Sequence, residues 1–267
     1  MLPASPHAKI EPERYTVPAL ERGLRLLACF TPEQPVWSAP ELARRLALPR
    51  STVFRLLTTL ENAAYLQRTG SEYRLGLAVL RLGYDYLAAQ PLAQMAGPLL
   101  QSLCQRMGFT TNLGVLDENS VVYILRMLPP GAFQGAVRVG SRLPAHAAVL
   151  GRALLQDMGA EQLRSLFGSN QLPQFSERTP RSIDQLLRLL QHDRERGCAV
   201  GEGFYERGIS SIAAPVRDAK GQIVAALGIA IAFTDIAPRK MTRWQQQVCE
   251  AAQDLSCHLQ AQQLGGH

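Results

Sequence analysis

At 267 residues, 46% apolar and 19% charged, the chain can bury a sizeable core and is too apolar to be disordered, while a formal charge of +6 leans toward a polyanionic partner without naming one. Five scattered cysteines at 29, 104, 198, 249 and 257, with no C-x-x-C pair and no Cys/His cluster, exclude a disulfide framework and a zinc finger and predict reduced thiols and no cofactor. The start, MLPASPHAKIEPERY, lacks the apolar core of a signal peptide, and the longest apolar run, 223–233, is too short to span a bilayer, so a cytoplasmic protein with no membrane partner is expected.

Residues 1–17 read as a disordered tail. Residues 19–30 then show Leu20, Leu24, Leu27 and Ala28 on one face of an amphipathic helix, followed by a turn-rich loop at 31–35. Ser38-Ala39-Pro40-Glu41 is a capping box that opens a short helix burying Leu42 and Leu46. Pro49 breaks it, because a proline pushes the residue before it out of the helical region. A second helix, 51–65, capped by Ser51, has Leu56, Leu57, Leu60 and Ala64 as its inward stripe, and Arg50, Thr52, Val53 and Arg55 on or beside the opposite face. A glycine-containing hairpin follows at 65–75.

Two short helices, a tight turn and a trailing hairpin make a winged helix-turn-helix. Seven arginines against three acids between residues 38 and 81 give it a local positive excess. Arg50, Ser51, Thr52 and Arg55 are placed to enter a major groove, where arginine pairs with guanine edges or phosphate and hydroxyls hold phosphate oxygens. Arg68, Thr69 and Arg74 on the hairpin reach the backbone or minor groove, and Arg44 on the preceding helix contacts the backbone. The alternative is a small helical domain whose arginines merely solubilise it.

Residues 76–89 are helical in pattern, and Pro91 separates them from a second helix ending near 107. A helix joining two domains suits a lever and a dimer contact, and ordinary packing fits the same residues. Strands are expected at 111–116, 121–127, 135–139, 211–217 and 222–233, with 200–206 extended and helices at 145–157, 181–196 and 238–262. Strands and helices mixed without a βαβ rhythm predict α+β rather than a doubly wound sheet. With period two, Ile223, Ala225, Leu227, Ile229, Ile231 and Phe233 face helices, while Val224, Ala226, Gly228, Ala230 and Ala232 leave room for a close-packed helix or a ligand. No enzyme is legible. Ser141 is in no nucleophile elbow, Gly201-x-Gly203 lacks a dinucleotide fingerprint, and no helical His pair could hold zinc.

Three stretches, ALERGLRLL with SAPELARRLALPRSTVFRLLTTLENAAYL (19–27, 38–66), VGSRLPAHAAVLGRALL (139–155) and RGCAVGEGFYERGISSIAAPVRDAKGQIVAALGIA (196–230), resemble the IclR family of bacterial transcriptional regulators in order and spacing. The resemblance implies a winged helix-turn-helix (18–77), a linker helix (78–92) and a GAF-like α/β effector-binding domain (93–264). It also implies a double-stranded DNA operator, a small organic-acid effector and a homodimer or tetramer, with RNA polymerase as a further partner if the protein activates. Carbon-source catabolism, including that of aromatic compounds, is the family-level expectation. An effector-independent DNA-binding protein with a structural C-terminal domain, or a small-molecule enzyme, is the alternative.

The chain departs from the family where relatives carry acids after the Arg-Gly-Tyr stretch, since it has Gly201-Glu202-Gly203-Phe204, and where relatives place hydroxyls it has Gly228 and Ala230. Ser211 keeps the family's small polar residue. These losses remove polar groups and add volume, so the resemblance implies an effector larger and less polar than a two- or three-carbon acid. Ser211, His146 and Arg142 could supply its polar contacts and Leu143, Ala148 and Tyr205 its walls. Arg126 and Arg142 are carboxylate partners or members of structural ion pairs, and His146 near a helix start serves equally as a packing residue.

Overall fold

The computed structural model describes residues 16–132, 137–205, 207–232 and 237–265. Backbone contacts divide the chain into two compact units, Met1–Tyr86 and Leu87–His267. The expected tail lies almost wholly outside the described residues.

The first unit runs α1 (Pro18–Leu27), β1 (Trp37–Ser38), α2 (Ala39–Leu46), α3 (Arg50–Asn62), β2 (Leu66–Thr69), β3 (Glu72–Leu75) and most of α4 (Ala78–Ala88). Its core joins Leu26, Phe30, Leu42, Val53, Leu57, Leu66 and Tyr73. At the start of α2 the Ser38 N–H and hydroxyl both donate to Glu41 Oε2, at 2.8 and 2.6 Å. Those bonds hold the Glu41 carboxyl below its ordinary pKa. Ala47 then turns left-handed at φ 52°, and Pro49 N-caps α3. The turn between the helices is thus set by a tolerated left-handed residue and a proline that fixes the next helix's entry.

Several local expectations need correction. The buried face of α1 is Gly23 and Leu26, while Leu20 and Leu24 are 62% and 58% exposed. Gly23 lies close to Leu56, and a count of apolar residues cannot register a glycine as a contact. Ser51 caps nothing, because α3 begins one residue earlier. Val53 is fully buried rather than outward-facing, and Ala64 stands exposed with φ 61° beyond the helix end. The hairpin β2–β3 forms in register from Leu66↔Leu75 to Thr69↔Glu72, and two-residue β1 adds a third strand on β3.

The second unit contains α5 (Pro91–Met107), β4 (Thr110–Asp117), β5 (Ser120–Met127), β6 (Arg142–Pro144), α6 (Val149–Leu154), α7 (Ala160–Phe167), α8 (Ile183–Arg196), β7 (Ala199–Glu202), β8 (Ser210–Arg217), β9 (Ile223–Ile231) and α9 (Pro238–Gly265). The described strands of this unit form one antiparallel sheet in the order β6-β5-β4-β9-β8-β7. The fold is α+β, with a helix-turn-helix unit preceding this sheet unit.

On one face of the sheet Leu227, Ile229 and Ile231 pack with Leu100 and Leu103 of α5 and Val248 and Leu255 of α9. On the other, Ala213 and Ala226 meet Val149, Leu150 and Ala153 of α6. The alternation expected along β9 holds from Ala225 onward and fails at its start. Ile223 packs with the α6 cluster and Val224 with the α5/α9 cluster, because the pairing with β8 slips between Val216 and Arg217.

The helix expected over 145–157 is helical only at Val149–Leu154, since Ala147 and Ala148 both turn back to the Pro144 carbonyl. The strand expected at 135–139 begins outside the described residues, and 137–139 carry no strand. Phe233 and Glu206 also lie outside them. None of the five cysteines forms a disulfide, and no described helix is long and apolar enough to cross a membrane.

Candidate functional site

In the first unit, Arg50, Ser51 and Arg55 are exposed along the first turns of α3, with Thr52 half-buried beside them. The buried pair Val53 and Leu57 anchors the opposite face, so the sequence RSTVFRLL presents its cations outward. Phe54, 56% exposed, stands among them as an apolar surface of the kind that meets a thymine methyl. Arg44 is exposed in the last turn of α2. On the hairpin, Arg68 Nε donates to the Gly70 carbonyl at 2.8 Å and its guanidinium lies over the Tyr73 ring at 5.7 Å. Arg74 donates to Thr69 Oγ1 at 3.4 Å.

In the second unit, a cavity of about 110 Å³ opens between the small-residue face of the sheet and the start of α6. Cross-strand register tiles its floor. Arg126, Asn112, Gly228 and Ala213 stand side by side across β5, β4, β9 and β8. Thr110, Ala230, Ser211 and Gly201 form the next row. A slip between Leu113 and Gly114 sets Tyr123 opposite Gly114, so Tyr123 and Arg126 share the cavity face despite an odd spacing. Leu143, Ala148, Val149, Leu150, Phe204 and Tyr205 supply the walls.

The lining of the cavity differs in chemistry from one part to another. Thr110, Asn112, Tyr123 and Arg126 gather polar groups on β4 and β5, whereas the α6 side is apolar. Asn112 is 6% exposed and its Oδ1 has no hydrogen-bond partner among the described residues, a cost unless a ligand or water completes it. Arg126 Nη1 donates to the Val137 carbonyl, which orients the guanidinium. Burial pushes the Tyr123 hydroxyl up to about 12, so it stays a neutral donor.

Of the residues expected to form an effector site, Arg126, Leu143, Ala148, Gly201, Tyr205, Ser211, Gly228 and Ala230 line this cavity. Arg142 does not, being exposed on β6 and paired with the Asp117 carboxylate at the end of β4. His146 does not either. It is 2% exposed against Phe167 and Phe175, with Nε2 2.9 Å from the Pro173 carbonyl. The expected gain in volume also needs correction. A Cβ on Gly201 would stand 2.6 Å from Val149 and 2.7 Å from Phe204, and one on Gly228 2.6 Å from the Ile212 carbonyl. Polar groups are lost at these positions, but neighbours fill the space.

Sequence reading missed Thr110, Asn112, Tyr123, Val149, Leu150 and Phe204. An asparagine inside the apolar strand TTNLGVL was the one available signal, since a polar side chain in a buried strand needs a partner. The slip that turns Tyr123 inward leaves no mark in the sequence.

Burial lowers the His146 pKa below its ordinary 6.5, against the opposing hydrogen bond that Nε2 donates to the Pro173 carbonyl. The folded state therefore binds its proton less readily than the unfolded chain. Stability from this group is full above about 6.5 and falls as pH drops below it. The melting temperature of the protein should decline below that pH, and His146→Gln should flatten the decline; parallel curves would remove His146 as its source.

Beneath the cavity wall, Arg152 of α6 and Asp193 of α8 form an ion pair with both side chains 1% exposed. Arg152 Nε and Nη2 donate to Asp193 at 2.9 and 2.8 Å, and Nη2 also reaches the Val200 carbonyl at 3.0 Å. The guanidinium carbon lies 4.6 Å from the Phe204 ring centroid.

Comparison with known proteins places both units. Residues 19–70 match the IclR helix-turn-helix domain, and residues 84–257 match the bacterial transcriptional regulator IclR C-terminal domain. The chain is 31% identical to the Pca regulon regulatory protein of Pseudomonas putida, over 90% of this chain and 83% of that one. It is 28% identical to the HTH-type transcriptional regulator XynR of Escherichia coli, over 90% and 96%. An IclR homolog of Microbacterium hydrocarbonoxydans, solved with 4-hydroxybenzoate, superposes with a TM-score of 0.78 at 29% identity, over 90% of this chain and 98% of that one.

Proposed function

The chain belongs to the IclR family of bacterial transcriptional regulators, and from that premise we propose that a carboxylic acid of about one aromatic ring, bound in the sheet cavity, controls its hold on operator DNA. The carrying observation is the division of one cavity's lining between polar groups on β4 and β5, namely Arg126, Asn112, Thr110 and Tyr123, and apolar walls from Leu143, Val149, Leu150 and Phe204. An acid group pairs with the Arg126 guanidinium. A hydroxyl donates to Asn112 Oδ1, and a ring lies against the apolar walls. The complex of the Microbacterium homolog with 4-hydroxybenzoate supports the same class.

On the DNA side, the α3 cations and Thr52 enter the major groove and the hairpin arginines hold the backbone. Two copies place two such units on a partly palindromic site. Exposed Leu20 and Leu24 on α1 and Leu80, Leu82, Tyr84 and Tyr86 on α4 favour a second copy as their cover. The effector favours one arrangement of the subunits, and α4 carries the difference to the DNA-binding units. The coupling is bounded by the effector's differential affinity for the two arrangements, typically about 1–3 kcal/mol.

Benzoate and 4-hydroxybenzoate should each raise the melting temperature, and glyoxylate should do so less. Arg126→Gln should abolish the rise at equal concentrations while leaving the unliganded protein folded. A rise undiminished in Arg126→Gln would remove the acid-pairing role, and no rise with any ring-bearing acid would remove the effector class.

A further inference from the structure

We infer that Phe204 sets the specificity of the cavity by closing it over Arg152, so that the site reads one acid group and excludes a second. This rests on the aromatic-acid reading above and extends it to a residue and to a class of rejected ligand. Phe204 lines the cavity and Arg152 does not. The Arg152 guanidinium lies against the ring, 4.6 Å from its centroid. Arg152 Nη1 is buried and has no partner among the described residues, although Nε and Nη2 are committed to Asp193 and Val200. One N–H-bearing nitrogen of a buried cation is therefore left over behind an aromatic wall.

Several features hold the ring there. Gly201 has no Cβ to collide with it, since one would stand 2.7 Å from Phe204 Cδ2. The Phe204 carbonyl accepts from Ser176 Oγ at 2.9 Å and from Thr179 Oγ1 at 2.6 Å. A cation beneath the ring favours the stacked position. An effector that meets this wall finds an apolar aromatic face suited to stacking on a ring, and a second carboxylate directed at it would be desolvated without a partner. With the ring removed, the same carboxylate would reach Arg152 Nη1, and a dianion would be held by Arg126 and Arg152 together.

The experiment compares wild type, Phe204→Ala and Phe204→Leu for binding of benzoate and terephthalate by calorimetry, with melting curves confirming that each variant is folded. Phe204→Leu keeps the cavity closed and guards against a loss caused by folding alone. Expected are a preference for benzoate in wild type, a shift of at least tenfold in the terephthalate-to-benzoate affinity ratio in Phe204→Ala, and little shift in Phe204→Leu. An unchanged ratio in folded Phe204→Ala would overturn the inference. If neither acid binds any of the proteins, the aromatic-acid reading fails by itself, and the closure is decided without ligand. Phenylglyoxal should then modify Arg152, read by peptide mass spectrometry, faster in Phe204→Ala than in wild type, and equal rates would overturn the closure.

Discussion

Arg55→Ala is expected to weaken operator binding by about 1–3 kcal/mol, and to relax discrimination at the base pair that the guanidinium reads. The residue is exposed, and its backbone carbonyl rather than its side chain serves the helix, accepting from Thr59 Oγ1 at 2.8 Å. Its loss should therefore leave the melting temperature nearly unchanged, as surface substitutions away from packed groups do. Arg74→Ala should act differently, weakening binding to all sequences alike and reducing the salt dependence by about one phosphate contact. Measured binding isotherms at two salt concentrations separate the two. Full-strength binding by Arg55→Ala would move the reading surface off α3.

The second large effect is on stability. Asp193→Ala strips the partner from a guanidinium that is 1% exposed, leaving an uncompensated buried charge. The expected loss is about 3–5 kcal/mol. Burial raises the Asp193 pKa against the pull of Arg152, so desolvation already opposes the pair, and its bidentate geometry, the nearby Arg196 and a backbone hydrogen bond from Val200 offset it in part. Replacing both partners with leucine should accordingly cost less than the single change. Urea unfolding, followed with a probe in the second unit, checks both; a loss under 1 kcal/mol for Asp193→Ala would mean that water or another group reaches Arg152.

Legibility in the sequence followed the range of the interactions. The capping box at Ser38 and Glu41, the Pro49 break and the hairpin are local chemistry, and each stands where its residues place it. The small face of β9 was equally readable, because alternation is a property of the strand itself from Ala225 onward. What remained hidden depends on partners distant in sequence. Arg142 was indistinguishable from Arg126 until β6 paired with β5 and put it beside Asp117. The Arg152–Asp193 pair joins residues 41 apart. The inward turn of Tyr123 comes from a slip in strand pairing. Gly201 reads in the sequence as an emptied position, while in the fold it is the space that Phe204 occupies.

The central claim is that this chain reads a specific DNA site and that a ring-bearing acid alters its grip. It is tested most directly by selecting genomic DNA fragments with the purified protein at two salt concentrations, with and without 4-hydroxybenzoate. A recurrent inverted-repeat site whose recovery changes with the acid is the predicted result. Salt-sensitive recovery with no shared sequence, unchanged by any ring-bearing acid, would contradict it.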